Sequence, residues 1–255
     1  MRRDIVTSDN QKPMHIYVIN LDRSQDRMTE FSRINKHMPE IQRHSAADGS
    51  KLDREELVRA NIIAPDLAYT PGAIGCALSH IFFWEAAVTQ KTQITVCEDD
   101  AIFHRAFSAA APKLLASLPP DWDLVMWGWN FDSILMFDLM PGISQCLGTF
   151  NQELMRKAAT EFQSASLSPQ LFRLLRGFGT VCYTISEAGA AKLIARSIPL
   201  RPITVSFPRI NPAFPNNGID IVMNDAYPEL NAYVSFPPLV ITKNEHEVST
   251  VRPGA

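Results

Sequence analysis

The sequence predicts an α/β fold, and three observations carry that reading. Apolar runs of strand length alternate with segments of helical spacing. The chain opens with Met14-His15-Ile16-Tyr17-Val18-Ile19, a buried first strand, then the turn Asn20-Leu21-Asp22 and a helix. Strand, turn, helix is the usual start of an α/β domain that binds a nucleotide. Third, Ile94-Thr95-Val96-Cys97 runs straight into three carboxylates, Glu98-Asp99-Asp100. Adjacent like charges repel by about 1 kcal/mol per pair in water, and by more at lower effective dielectric. Such a cluster at the end of a buried strand points to a cation. The competing reading is a solvated turn, with Asp99 or Asp100 capping a following helix.

Taken in order, residues 1–13 are polar and are expected to form a flexible tail, with one domain over 14–250. After the first strand, Ser24 is the expected N-cap, and Met28, Phe31, Ile34 and Met38 recur near helical spacing. Ile41–His44 reads as a short second strand, Ala47-Asp48-Gly49 as a turn, and Asp53–Ala60 as a surface helix. The next helix starts near Thr70-Pro71 and runs to about Thr89. Gly72 and Gly75 at its head would let a ligand approach the backbone closely. Ser79 and His80 are the polar groups of its first half, and a buried histidine there is either a ligand or a satisfied core residue. A helix over Arg105–Leu118 is expected to be broken by Pro112, and Asp123–Gly128 is another strand. Residues 129–176 read as loops and a helix, where an acceptor site could be built. Gly177–Ile185 reads as one strand, with Ser186 capping a helix. The prolines between 199 and 215 forbid a central strand and predict a loop. In Ile219-Asp220-Ile221-Val222-Met223 one acid is flanked by apolar residues. Burial there disfavours the charged form and suits a proton acceptor, while the alternative is an N-cap for a helix toward Tyr227. Pro238–Thr242 is a last short strand, followed by a polar tail with His246 and Ser249.

Composition narrows the function classes. The chain is 46% hydrophobic and 20% charged, with net charge −3. It offers no overall basic character for general nucleic-acid binding. Lys91, Arg105 and Lys113 are the only cations of residues 61–150, whereas 151–209 is basic. A basic stretch suits an anionic partner or membrane surface, with solvated helix faces as the alternative. The four cysteines form no C-x-x-C pair, and there is neither a sequon nor a signal-peptide pattern. These absences favour a cytoplasmic setting. The apolar stretch Ala73–Val88 carries Ser79, His80 and Glu85 and reads as too short to span a bilayer. Neither G-x-G-x-x-G nor a P-loop occurs, which disfavours dinucleotide dehydrogenases and P-loop enzymes.

Several of these stretches together resemble glycosyltransferase family 25, the lipooligosaccharide-biosynthesis group that includes bacterial β-galactosyltransferases. The resemblance rests on Ile19-Asn20-Leu21-Asp22-Arg23 with Arg27, Ala47-Asp48-Gly49, Gly75-Cys76-Ala77-Leu78-Ser79-His80 and Glu98-Asp99-Asp100. Tyr183-Thr184-Ile185-Ser186 with Gly189-Ala190, and then Asp220, continue it in family order. Two departures stand out: Ala73 replaces an acid that many relatives carry, and the Pro-rich loop 199–215 is longer than the pattern.

The resemblance implies a GT-A type fold, a Rossmann-like sandwich binding a nucleotide sugar, with an acceptor-side subregion. It implies inverting transfer of a hexose, galactose first, from a UDP-sugar to a glycan such as a lipooligosaccharide or lipid-linked oligosaccharide. Mn or Mg would assist, since oxygen ligands favour these ions over zinc. In that scheme Asn20, Leu21, Arg23 and Arg27 frame the nucleoside and phosphates, and Asp48, Gly75, Ser79 and His80 complete the donor site. Asp100 is the direct metal ligand, Glu98 or Asp99 contacts the ribose or a metal-bound water, Glu98 and His246 are further ligands, and Asp220 is the base. Peripheral contact with an inner membrane would suit such an acceptor, and no nucleic-acid partner is implied. Two rivals are a metal-dependent phosphohydrolase, which also needs clustered carboxylates, and a nucleotide-sugar-binding protein without catalysis.

Overall fold

A computed structural model describes residues 14–207 and 210–244. The elements in chain order are β1 (Ile16–Asn20), α1 (Gln25–Ile34), β2 (Gln42–Ser45), α2 (Arg54–Arg59), α3 (Pro71–Gln90), β3 (Ile94–Glu98), β4 (Ala101–Phe103) and α4 (Phe107–Ala116). They continue with β5 (Leu124–Gly128), β6 (Ile134–Met140), β7 (Ser144–Thr149), α5 (Gln152–Lys157), α6 (Ala159–Phe162), β8 (Gln170–Gly177), β9 (Cys182–Ile185) and α7 (Glu187–Ser197). The last are β10 (Thr204–Phe207), β11 (Ile210–Pro215), α8 (Ile219–Ala226), β12 (Ala232–Phe236) and β13 (Val240–Thr242).

Nine strands form one mixed sheet in the order β2-β1-β3-β9-β5-β12-β8-β6-β7. β1 is parallel to both β2 and β3, whereas β9 is antiparallel to β3 and β5. Because side chains alternate along a strand, each inner strand feeds two cores. Tyr17, Val96, Met126 and Tyr183 face the cluster built with α3, α7 and α8, around Trp84. Val18, Cys97, Trp127 and Cys182 face the cluster built with α1 and α4, around Phe31 and Phe107. Burial on both faces is why β3 reads as an unbroken apolar run. The result is an α/β domain with helices on both faces of a mixed sheet, consistent with the expected Rossmann-like sandwich.

α3 is the central helix. The Thr70 hydroxyl caps it by accepting from the Ala73 amide at 3.1 Å, and Pro71 occupies its first turn, where a missing N–H costs nothing. By length and composition α3 could cross a bilayer, contrary to the expectation from the shorter stretch 73–88. Trp84 and Ala87 are nevertheless fully buried, and the helix packs against α7 and α8. Its apolarity is that of a core helix.

Several expectations are corrected. Residues 129–176 do contain helix, in α5 and α6, but they also hold three strands that were not expected: β6 and β7 form a hairpin through Pro141-Gly142, with Gly142 at φ +73°, and β8 pairs with both β6 and β12. In β8, Leu171, Leu174 and Leu175 mimic helical spacing, and strand pairing overrides it. Gly177–Ile185 is not one strand, because a turn with Gly179 at φ +85° separates β8 from β9. No helix follows Asp100. The chain enters β4, which pairs with β13, so neither aspartate is a helix cap. α4 runs through Pro112 without breaking. The 199–215 segment is not wholly loop, since β10 and β11 pair antiparallel in a separate two-stranded ribbon. Prolines fit there because edge backbone need not donate to a ladder. The expected tail 1–13 and His246 lie outside the described residues.

Candidate active site

The parallel strands β1 and β3 end side by side, and chain reversal at their C-terminal ends opens a crevice. A cleft of about 270 Å³ lies there, walled by Leu21, Arg23 and Arg27, by the turn at Ala46, Ala47, Gly49 and Ser50, by Gly72, Cys76, Ser79 and His80 of α3, and by Glu98 and Asp99. Local chemistry holds each wall in place. Asp48 caps the Gly49–Lys51 turn through the Ser50 amide, at 3.1 Å, and forms an ion pair with Arg23. The Arg23 guanidinium holds the Asp48 carboxyl well below its ordinary range. The Ser79 hydroxyl donates to the Gly75 carbonyl at 2.7 Å and accepts from the Ala47 amide at 2.9 Å, clamping the turn to α3.

Gly75 serves the same contact. A Cβ there would collide with the Ala47 carbonyl and come within 2.7 Å of the Gly49 nitrogen. The space its missing side chain leaves is filled by the chain itself, and Gly75 does not line the cleft. Gly72 does.

The three acids occupy different environments. Asp99 is fully engaged: Oδ2 accepts from Asn20 Nδ2 at 2.7 Å and Oδ1 from Arg27 Nε at 2.9 Å. Asn20 is braced in turn by Arg43, whose Nε donates to its Oδ1 at 2.9 Å. Glu98 accepts from the Thr180 hydroxyl. Burial, then the Asp100 charge, pushes its carboxyl up to about 8. Asp100 lines an adjoining cavity of about 320 Å³ with Arg27, Glu30 and Asn244. Burial raises its carboxyl too, against the Thr242 hydroxyl and Arg27, which lower it. Its Oδ1 is buried with no hydrogen-bond partner. A half-buried carboxylate with an unmatched buried oxygen, beside a second whose ionisation is disfavoured, is a site short of positive charge.

That donor set fits a hard divalent cation. No group of three or more His, Cys, Asp or Glu that could hold a metal occurs among the described residues. Magnesium-type ions, however, are commonly held by one or two carboxylates with phosphate oxygens and waters filling the remaining positions. Glu98, in the cleft, and Asp100, in the adjoining cavity, are the carboxylates that could do so.

His80 is neutral. Trp84 Nε1 donates to the Tyr183 hydroxyl at 2.9 Å, and the same hydroxyl is hydrogen-bonded to His80 Nδ1, also at 2.9 Å. Burial lowers the imidazole to about 3.

Asp220 lies in the first turn of α8 and does not line the cleft. Its Oδ2 accepts from the Gly179 amide at 3.2 Å. Asn224 fastens α8 to the same turn, donating to the Gly177 carbonyl at 2.6 Å and accepting from its amide at 3.0 Å. The Cys76 thiol, in the cleft wall, is raised by burial and then by the charges of Glu98 and Asp220. Leu21, Arg23, Arg27, Ser79, His80, Glu98 and Asp99 are thus brought to one cleft. Asn20 and Asp48 brace it, Asp100 opens next door, and Asp220, on α8, lies outside its lining.

Sequence reasoning missed Thr180, Asn224 and Arg43. The two glycines around Phe178 signalled a turn before Thr180. Nothing local marks Arg43 or Asn224, whose partners lie 23 and 47 residues away.

The sequence matches, over residues 14–207, the family described as "Glycosyltransferase family 25 (LPS biosynthesis protein)". The chain belongs to glycosyltransferase family 25. The match includes the whole cleft and stops short of Asp220. A "Glycosyltransferase 25 family member" of Aedes aegypti is 30% identical over 135 residues, covering 48% of this chain and 22% of that protein. Human "Procollagen galactosyltransferase 2" is 31% identical over 126 residues, 44% of this chain and 20% of the human one. A "Probable inactive glycosyltransferase 25 family member 3" of Bos taurus is 30% identical over 138 residues, 52% of this chain and 18% of the bovine one. This family 25 chain therefore spans about a fifth of the length of these relatives.

Proposed function

We propose that this protein is an inverting, metal-assisted glycosyltransferase of GT-A type, moving a hexose from a UDP-sugar to a glycan acceptor. The observation that carries the reading is the pair of half-buried acids at the end of β3, Glu98 raised and Asp100 with an unmatched buried oxygen, beside an arginine-lined cleft. A Mn or Mg ion bound there supplies positive charge against the diphosphate that leaves as the sugar departs.

The chain's own residues do the rest. Arg23 and Arg27 face the anionic oxygens of the donor, and Asn20 with Arg27 holds Asp99 so that its neighbours in the acidic run keep a set direction. His80, kept neutral by burial and tied to the Tyr183 hydroxyl through Nδ1, offers an uncharged polar ring in the cleft wall. Asp220 takes the proton of the acceptor hydroxyl on the side away from the leaving group. The Gly179 amide orients that carboxylate. Galactose is the first donor sugar to test, because the human relative is named a galactosyltransferase. A lipooligosaccharide or lipid-linked oligosaccharide is the proposed acceptor, and cytoplasmic placement with peripheral membrane contact belongs to the same proposal.

Calorimetric titration with UDP, with and without Mn, tests the metal assignment. The wild type should bind UDP more tightly with Mn, and Asp100→Ala should abolish that gain. Equal Mn dependence in the variant would overturn it. Release of free sugar from UDP-galactose separates a competent enzyme from a binding protein, and hydrolysis of a generic phosphoester would instead favour a phosphohydrolase.

A further inference from the structure

The α1 helix borders three cavities in succession. Ser24 and Arg27 face the cleft, Arg27, Glu30 and Ile34 face the Asp100 cavity, and Arg33 and Ile34 face a third pocket of about 700 Å³. Ile34, Ile102 and Lys243 line both of the last two. The wall of the third pocket carries Arg33, Lys36, His37, Arg105 and Lys243, with Thr160 and Gln163, and, among the described residues, no carboxylate. Such a concentration of cations is unexpected in a chain of net charge −3.

The nearby acids are already engaged. Glu30 holds Arg33 at 2.7 Å, and Glu40 accepts from Ser108. Lys36, Arg105 and Lys243 form no ion pair among the described residues. The His37 ring has its Nε2 buried without a partner. When neutral, that nitrogen accepts from a P–OH; when protonated, it donates to an oxyanion.

We propose that this pocket binds a phosphoryl group carried by a ligand other than the sugar donor. Several cations and a hydroxyl arranged around one space suit a multiply charged, tetrahedral anion better than a single carboxylate. The volume leaves room for a larger body attached to the phosphate. That body is either a soluble phosphorylated molecule or a lipid whose headgroup carries the phosphate. Because Lys243 also lines the Asp100 cavity, the bound anion lies beside the proposed transfer centre; this last consequence alone rests on the transferase reading.

The test uses the full chain and a double variant, Lys36→Glu with Arg105→Glu, both exposed residues outside the cleft. Glycerol 3-phosphate should bind the wild type and bind the variant at least about tenfold more weakly. UDP affinity in Mn should be equal in the two proteins. Sedimentation with phosphatidylglycerol vesicles, against phosphatidylcholine vesicles, distinguishes the source. Retention on the first alone, lost in the variant, identifies a lipid headgroup, and glycerol 3-phosphate binding without retention identifies a soluble ligand. Equal affinities in both proteins, or no binding of either probe by the wild type, overturns the proposal. If UDP fails to bind while glycerol 3-phosphate behaves as expected, the transferase reading falls and this one stands.

Discussion

At the β2-β1-β3 end of the sheet the strands run parallel, β1 and β3 contribute to cores on both faces, and their ends meet the head of α3. At the β8-β6-β7 end the strands run antiparallel, and the last hairpin leaves Leu139, Met140, Leu147 and above all Ile143, 81% exposed, in solvent. One end has its backbone fixed by packing from above and below, so it can hold charged groups in unfavourable surroundings. The other has no such constraint and carries none of the groups argued to act. The acids at the end of β3 are half-buried, and Thr180, Asn20 and Arg27 hold the first two in place.

Four substitutions sharpen that contrast, from the largest expected effect to the smallest. Asp220→Asn should lower turnover by about 10²–10⁴, the usual share of a general base, without weakening UDP binding in Mn. Near-normal kcat in a folded variant would place the base elsewhere. Gly75→Ala drives a methyl into the backbone of the 46–50 turn and should cost about 1–3 kcal/mol in chemical denaturation, with weaker UDP binding. An unchanged midpoint would show that the turn yields.

His80 supplies a pH test at the same end. Its folded pKa lies below the unfolded 6.5, so the stability it contributes is fully present above pH 6.5 and is lost as pH falls toward about 3. A His80→Phe variant should lose part of that acid limb, read as a shallower fall of the thermal midpoint between pH 6 and 4. At the opposite end of the sheet, Ile143→Ser should change stability by less than about 0.5 kcal/mol, as for exposed sites generally. A loss as large as that of Gly75→Ala would mean that the hairpin is covered in solution.

The same contrast explains which parts were readable from sequence. β1, α1, α3 and β3 were legible because double-sided burial writes continuous apolar runs, and because Thr70-Pro71 marks a helix start by local chemistry. β6 and β7 were missed although Pro141-Gly142 is a strong turn signal, because the strands flanking it have one open face. Within the site, residue types were legible and pairings were not. Glu98, Asp99 and Asp100 look alike in sequence. What separates them is Thr180 for the first, Asn20 and Arg27 for the second, and an unmatched oxygen for the third. Those differences arise from contacts across 72 to 82 residues of chain, which no local pattern encodes. Gly75 shows the converse: a glycine suited to a ligand was needed by the protein's own backbone.

The turn between β8 and β9 touches both acids through consecutive residues, Gly179 to Asp220 and Thr180 to Glu98. One short span of backbone is thus the common prop of an acid at the end of β3 and an acid at the head of α8, so a substitution that reshapes it reaches both.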